Sequence, residues 1–167
     1  MKVCEPTIND LFELVELSQI FRKGCSQYAI IDDLIEDEKL KEIYTWAFLM
    51  ALNLKDQQFL RILKDPINSE IVGYIFGEIH LIETYFKNRQ RGFIREVYIE
   101  QTYRSFANFK ILMESFFDWL KSKGIFIVEG EIDSKNEKLE QVYKHSKALE
   151  KTKYFSLILQ GDDKNGQ

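Results

Sequence analysis

Cysteine and histidine are scarce in this chain: Cys4, Cys25, His80 and His145 are the only ones among 167 residues. Two cysteines are too few for a disulfide framework or a zinc site, and a reduced, cytoplasmic setting is expected. Both read as small buried hydrophobes. Neither histidine has a Cys, Asp or Ser at a telling spacing, so a metal centre or a hydrolytic triad is not expected. Long apolar runs are missing as well, far short of the ~20 residues that span a bilayer, and no membrane association is expected. Met1-Lys2 leads into Val-Cys-Glu-Pro rather than an apolar stretch, which does not read as a signal peptide. Charge of one sign is not in excess: 23 basic residues face 27 acidic ones, for a net charge of −4. That balance speaks against a nucleic-acid partner. Internal repeats, low-complexity tracts and linkers are absent too, so a single domain over residues 1–160 is expected, with 161–167 (GDDKNGQ) as a frayed tail.

What is present is the balance of a water-soluble protein, 45% hydrophobic and 30% charged. A chain of this size can bury about 70% of its unfolded surface and needs no metal or disulfide to hold a core. Val3-Cys4 reads as a short strand stopped by Pro6. Thr7 and Asp10 have capping-box spacing, and Leu11, Leu14, Val15, Ser18 and Phe21 form a helical stripe that ends at Gly24. A second helix starts near Asp37 and runs into the fifties, with Leu40, Ile43, Tyr44, Ala47, Met50, Ala51 and Leu54 on one face. Strands follow at 58–63, 70–83 and 93–100, with a turn at 65–69 and a loop over 85–92. A helix from about Ser105 to Lys123 closes at Gly124. A strand at 125–132, a helix over about 135–151 and a last strand at 154–159 complete the order β-α-α-β-β-β-α-β-α-β. This is an α/β sandwich on a mixed sheet.

One stretch carries most of the functional information. Residues 92–124, GFIREVYIEQTYRSFANFKILMESFFDWLKSKG, read as a buried strand, a tight turn and an amphipathic helix. Turns of this kind hold phosphates through the unpartnered N–H groups of the helix start, where the helix dipole adds about half a positive charge. Glycine usually helps, yet Arg104, Ser105, Phe106, Ala107, Asn108 and Phe109 include none.

The whole order resembles the GNAT superfamily of acyl-CoA-dependent N-acyltransferases. Ile71-Val72-Gly73-Tyr74-Ile75 is similar to that family's central strand, and Glu96-Val97-Tyr98-Ile99 to its fourth. Tyr103-Arg104 is placed like the start of the pyrophosphate loop, and Asn136 with Tyr143 like the late Asn and Tyr of the fourth helix. In the family the loop reads Gln/Arg-x-x-Gly-x-Gly/Ala, so Ala107 and Phe109 stand where small residues are usual. A ring at Phe109 must point away from the phosphates or occupy their place. The resemblance implies a twisted mixed sheet of six to seven strands, splayed between the fourth and fifth and flanked by about four helices. It also implies acetyl-CoA as co-substrate, held by backbone around Tyr98 and Ile99, by Arg104, Ser105, Phe106, Ala107, Asn108, Phe109 and Lys110, and by Asn136.

The implied reaction is acetyl transfer to a primary amine by direct attack. An alkyl amine with a pKa of about 10.4 is neutral in only about one molecule in 2,500 near neutral pH, so a base is needed. Glu96 is the first candidate for that base, Glu131 a second, and Tyr143 the candidate acid for the departing thiolate. Amides near Tyr98 and Ile99 would polarise the thioester carbonyl. The acceptor is a small-molecule amine or a peptide, and the chain's mild acidity suits a cationic one. The alternative is a catalytically inactive GNAT-shaped binding or assembly module that has lost coenzyme A binding. A homodimer stays open, since the many aromatics would fit either a dimer interface or the core.

Overall fold

The computed structural model describes residues 1–25, 36–82, 90–132, 136–137 and 139–141. At the first helix the Asp10 carboxylate takes both the Thr7 amide (2.7 Å) and the Thr7 hydroxyl (2.8 Å). This fixes a 3-10 turn over Ile8–Asp10 that leads into α1, Leu11–Cys25. Gly24 lies inside α1 rather than ending it. Helix α2, Asp37–Asn53, packs beside α1, and the apolar stripes of both meet one sheet face.

Five strands form the sheet among the described residues, in the order β1 (Lys2–Cys4), β2 (Gln58–Lys64), β3 (Ile71–Leu81), β4 (Gln90–Ile99) and β5 (Val128–Gly130). The first three pairings are antiparallel and β4–β5 is parallel, so the sheet is mixed as expected. The count is below the expected six to seven. The expected last strand, 154–159, lies outside the described residues, as do the tail and most of the fourth helix. Between β4 and β5 runs α3, Phe106–Ser122, on the opposite face from α1 and α2.

Two cores result, one on each face of the sheet. Leu14, Leu17, Leu40, Tyr44, Phe48, Tyr74 and Phe76 fill the layer under α1 and α2. Phe59, Ile75, Ile94, Leu112, Phe116 and Leu120 fill the layer under α3. Helix α3 lies close because two strand positions facing it are glycine. A Cβ at Gly92 would stand 2.1 Å from Leu120, and one at Gly77 would stand 2.8 Å from the Phe116 ring. Gly124 at φ +72° then turns the chain out of α3 toward β5, in a conformation that suits glycine.

Candidate functional site

The sheet opens on one side of β4. Strand β5 pairs only with Gly92, Phe93 and Ile94, and beyond Ile94 no described strand meets that edge. The direction of the exposed amides follows from the ladder. Glu100 N–H donates to Val72 O at 2.9 Å. Alternation therefore turns the N–H groups of Glu96 and Tyr98 toward β3, and those of Val97 and Ile99 toward the open edge. The Ile99 carbonyl on the same edge accepts from Arg104 Nε at 2.8 Å. The Arg104 guanidinium thus closes the end of the strand, lying over the Tyr98 ring at 6.0 Å.

The open edge leads to the start of α3. Ser105 is extended (φ −148°, ψ 156°) and caps the helix, its Oγ accepting from the Asn108 amide at 3.1 Å. Phe109 N–H makes the first intrahelical bond, to Ser105 O at 3.0 Å. The Phe106 and Ala107 amides are the remaining donors of the helix start, and both residues are exposed. The absence of glycine has a physical explanation. Ser69 is the only non-glycine residue at positive φ among the described residues, so the turn demands no conformation that Ala107 would resist. Phe109 turns inward and packs against the core under α3, away from the free amides. Replacing Phe109 by Gly should cost about 2–3 kcal/mol in lost burial and helix propensity, read from urea denaturation, with no tightening of coenzyme binding.

On the other face of β4, an irregularity in the ladder reorients the chain. Phe76 pairs with Glu96 but Gly77 pairs with Ile94, which leaves Arg95 as an extra residue on β4. A bulge of this kind turns two consecutive side chains to the same face. Glu96 is only 3% exposed and is bonded on both oxygens. Its Oε1 accepts from Arg22 Nη2 at 2.7 Å and from the Tyr44 hydroxyl, and its Oε2 accepts from the Tyr74 hydroxyl at 2.7 Å. Burial pushes the Glu96 carboxyl above the usual carboxylate range, outweighing the Arg22 charge and the tyrosine donors. Burial and the adjacent carboxylate likewise push the Tyr44 and Tyr74 hydroxyls up, so both remain protonated donors at neutral pH.

With this geometry in place, comparison with solved structures is decisive for the fold. The chain superposes on AAC(6')-Iy in complex with a bisubstrate analogue, CoA-S-monomethyl-acetylneamine, with a TM-score of 0.72 and 12% identity, covering 96% of this chain and 98% of that one. A predicted acetyltransferase with acetyl-CoA from Clostridium acetobutylicum gives 0.69 at 17% identity, covering 94% and 95%. Glucosamine-6-phosphate N-acetyltransferase from Arabidopsis thaliana gives 0.65 at 17% identity, covering 95% and 98%. The chain has the GNAT fold. No protein-family model and no curated protein sequence matches it.

Within the GNAT fold, the residues anticipated from sequence take distinct positions. Glu96 lies in the buried cluster with Arg22, Tyr44 and Tyr74, whereas Arg104 to Phe109 lie at the far end of the open edge. Lys110 is on the exposed side of α3, 3.6 Å from Glu114. Asn136 caps a helix start, its Oδ1 accepting from the Leu139 amide at 3.2 Å. Glu131 is exposed beyond β5. Tyr143 and residues 85–89 of the expected 85–92 loop lie outside the described residues, while residues 90–92 belong to β4 rather than to a loop. Sequence reasoning did not single out Arg22, Tyr44 or Tyr74 as site residues. In the sequence Tyr44 is one member of a helical stripe and Tyr74 one member of an alternating strand. A usable signal was the glutamate itself, because a carboxylate at a buried strand position requires donors. Among the described residues there is no cluster of three or more potential metal ligands, and no helix is long and apolar enough to cross a membrane.

Proposed function

We propose that this protein transfers the acetyl group of acetyl-CoA to a primary amine by direct attack on the thioester. The observation that carries the reading is the edge of β4 beyond Ile94, which no strand pairs among the described residues, running into a helix start whose Phe106 and Ala107 amides have no partner among those residues. A pyrophosphate is a natural occupant of such amides, and the Val97 and Ile99 N–H groups along the edge would stabilise charge developing on the thioester oxygen. Two of the superposed GNAT-fold structures hold acetyl-CoA or a coenzyme A bisubstrate analogue, which supports the same use of this edge.

Glu96 is the base in this scheme. Its raised affinity for a proton suits it to the task. The Tyr44 and Tyr74 hydroxyls, each already bonded to the carboxylate, provide the path by which an amine proton reaches it. The amine nitrogen bonds to the carbonyl carbon, the carbon–sulfur bond breaks, and the thiolate takes up a proton. Tyr143 is our candidate donor for that last transfer, and Asn136 and Lys110 our candidates for further coenzyme contacts. The test is release of free thiol from acetyl-CoA across a panel of primary amines. Amine-dependent release is expected, and none with any amine would refute the scheme. One observation favours the second reading, a GNAT-fold binding module without catalysis: both Glu96 oxygens are occupied by the chain's own donors. Absence of both saturable coenzyme binding and turnover would identify that case.

A further inference from the structure

The outer surface of the α1–α2 layer carries apolar side chains that nothing among the described residues covers. Ile8, Phe12, Glu16 and Ile20 recur every four residues through the entry turn and along α1, and all four are exposed. Three of them are apolar, with exposures of 60% for Ile8, 72% for Phe12 and 52% for Ile20. The other stripe of the same helix, with Leu14 and Leu17, is already packed in the core. A surface helix normally turns a polar face outward, so an apolar stripe on each side calls for a second contact.

This stripe borders a groove of about 340 Å³ between the two helices. Ile8, Leu11, Phe12, Val15 and Glu16 line it from the α1 side, and Lys41 lines it from α2. Its walls are held in place. Lys64 Nζ donates to Asp10 Oδ1 at 2.6 Å at the entry to α1, and Ile71 N–H donates to Glu13 Oε1 at 2.9 Å. Gln19 Nε2 donates to Asp37 O at 3.0 Å, which ties α1 to α2. The groove therefore needs little ordering before a partner enters it. Glu16 and Lys41 are both exposed, one on each helix, and neither has a hydrogen bond or ion pair among the described residues. The groove thus has an acid on one wall, a base on the other and apolar side chains between them.

We infer that a second copy of this chain docks on this groove, forming a dimer with two-fold symmetry. A two-fold axis normal to the groove, midway between Glu16 and Lys41, exchanges the two positions. It sets Lys41 of the second copy over Glu16, and Glu16 of the second copy over Lys41, so that both ion pairs form at once. A partner of other sequence would have to match that polarity by chance, whereas a copy matches it by symmetry. The same axis brings the two Ile8–Phe12 stripes into one patch. Exposed ion pairs add little affinity, so the charges fix the register and the apolar stripe supplies the attraction. The dimer does not depend on the acetyl-transfer reading.

Sedimentation equilibrium of the full chain, from about 1 to 500 µM, tests the docking. The wild type should pass from one copy to two with a Kd of about 1–100 µM, as suits a small contact. Phe12→Ser should weaken the dimer about tenfold to a hundredfold with an unchanged melting temperature, since the ring is exposed in the single chain. Glu16→Lys and Lys41→Glu should each weaken it about tenfold, because like charges then face each other twice. Mixing those two variants should restore a mixed pair, since each brings the charge that the other lacks. A wild type that stays single over the whole range, or forms an open series of larger oligomers, would overturn the inference. So would a dimer indifferent to Phe12→Ser, or charge variants that do not recover on mixing.

Discussion

Replacing Glu96 by Gln is expected to lower kcat/KM for acetyl transfer by about a hundredfold to ten-thousandfold, the usual worth of a positioned base. Glutamine has nearly the same shape and still accepts a hydrogen bond from a tyrosine, so the protein should fold. A large loss of activity in a folded variant is what separates a base from a structural ion pair. Stability provides an independent check with a definite sign. Burial raises the Glu96 carboxyl above its unfolded value of 4.5. Between that value and the folded one, the native state holds a proton that the unfolded chain has released. Glu96 therefore contributes stability at low pH that is lost as pH rises through this window. Asp10 and Glu5, held below the ordinary carboxylate range, act with the opposite sign, each stabilising the fold above its unfolded value and losing that stabilisation as pH falls. The difference between wild type and Glu96→Gln isolates the one group. Urea denaturation from pH 4 upward should show the wild type losing stability relative to the variant. Parallel curves would mean that the Arg22 charge offsets burial in full.

Phe116→Ala should destabilise the protein by about 3–5 kcal/mol, the upper part of the range for large core truncations. Phe116 is fully buried at the centre of the layer under α3. Its ring meets Phe59 at 5.3 Å and Trp119 at 5.8 Å, and it fills the space that Gly77 leaves on β3. Neighbours on two strands and a helix cannot all move inward, so the cavity should persist. The consequence reaches function because α3 carries the candidate phosphate-binding amides at its first turn. Coenzyme affinity should fall along with stability. A loss below about 1 kcal/mol would show that the layer collapses onto the gap, contrary to the fit between Gly77 and the ring.

The elements legible in the sequence were those with an unbroken period. Helices α1, α2 and α3 and strands β2 to β4 follow from the spacing of Leu, Ile, Val and aromatic residues, with ends that shift by a few residues. Phe109 was legible in kind but not in direction. It belongs to the stripe of Leu112, Met113 and Phe116, and the helical period itself turns it inward once Phe106 is the first helical residue. The bulge at Arg95 was not legible, because one extra residue in a strand leaves a pattern that resembles a short irregularity in alternation. Without the bulge, Arg95 and Glu96 would face opposite layers. The Arg22–Glu96 pair joins residues 74 apart in sequence, and no local spacing encodes such a contact. The order of elements and the turn before α3 were legible from periodicity and turn signals, and the GNAT resemblance supplied their functional reading. The polar cluster beneath it required the tertiary structure.

The account stands on whether two backbone amides at the start of α3 hold a nucleotide diphosphate. Calorimetric titration of acetyl-CoA into the wild type and into Phe106→Pro tests this most directly. Proline at the first helical position removes one N–H without disturbing the helix, and the extended Ser105 before it accepts the substitution. Saturable binding to the wild type is predicted, with affinity about tenfold weaker in a variant of unchanged melting temperature. Absence of binding at millimolar acetyl-CoA, or equal affinity in the two proteins, would contradict it.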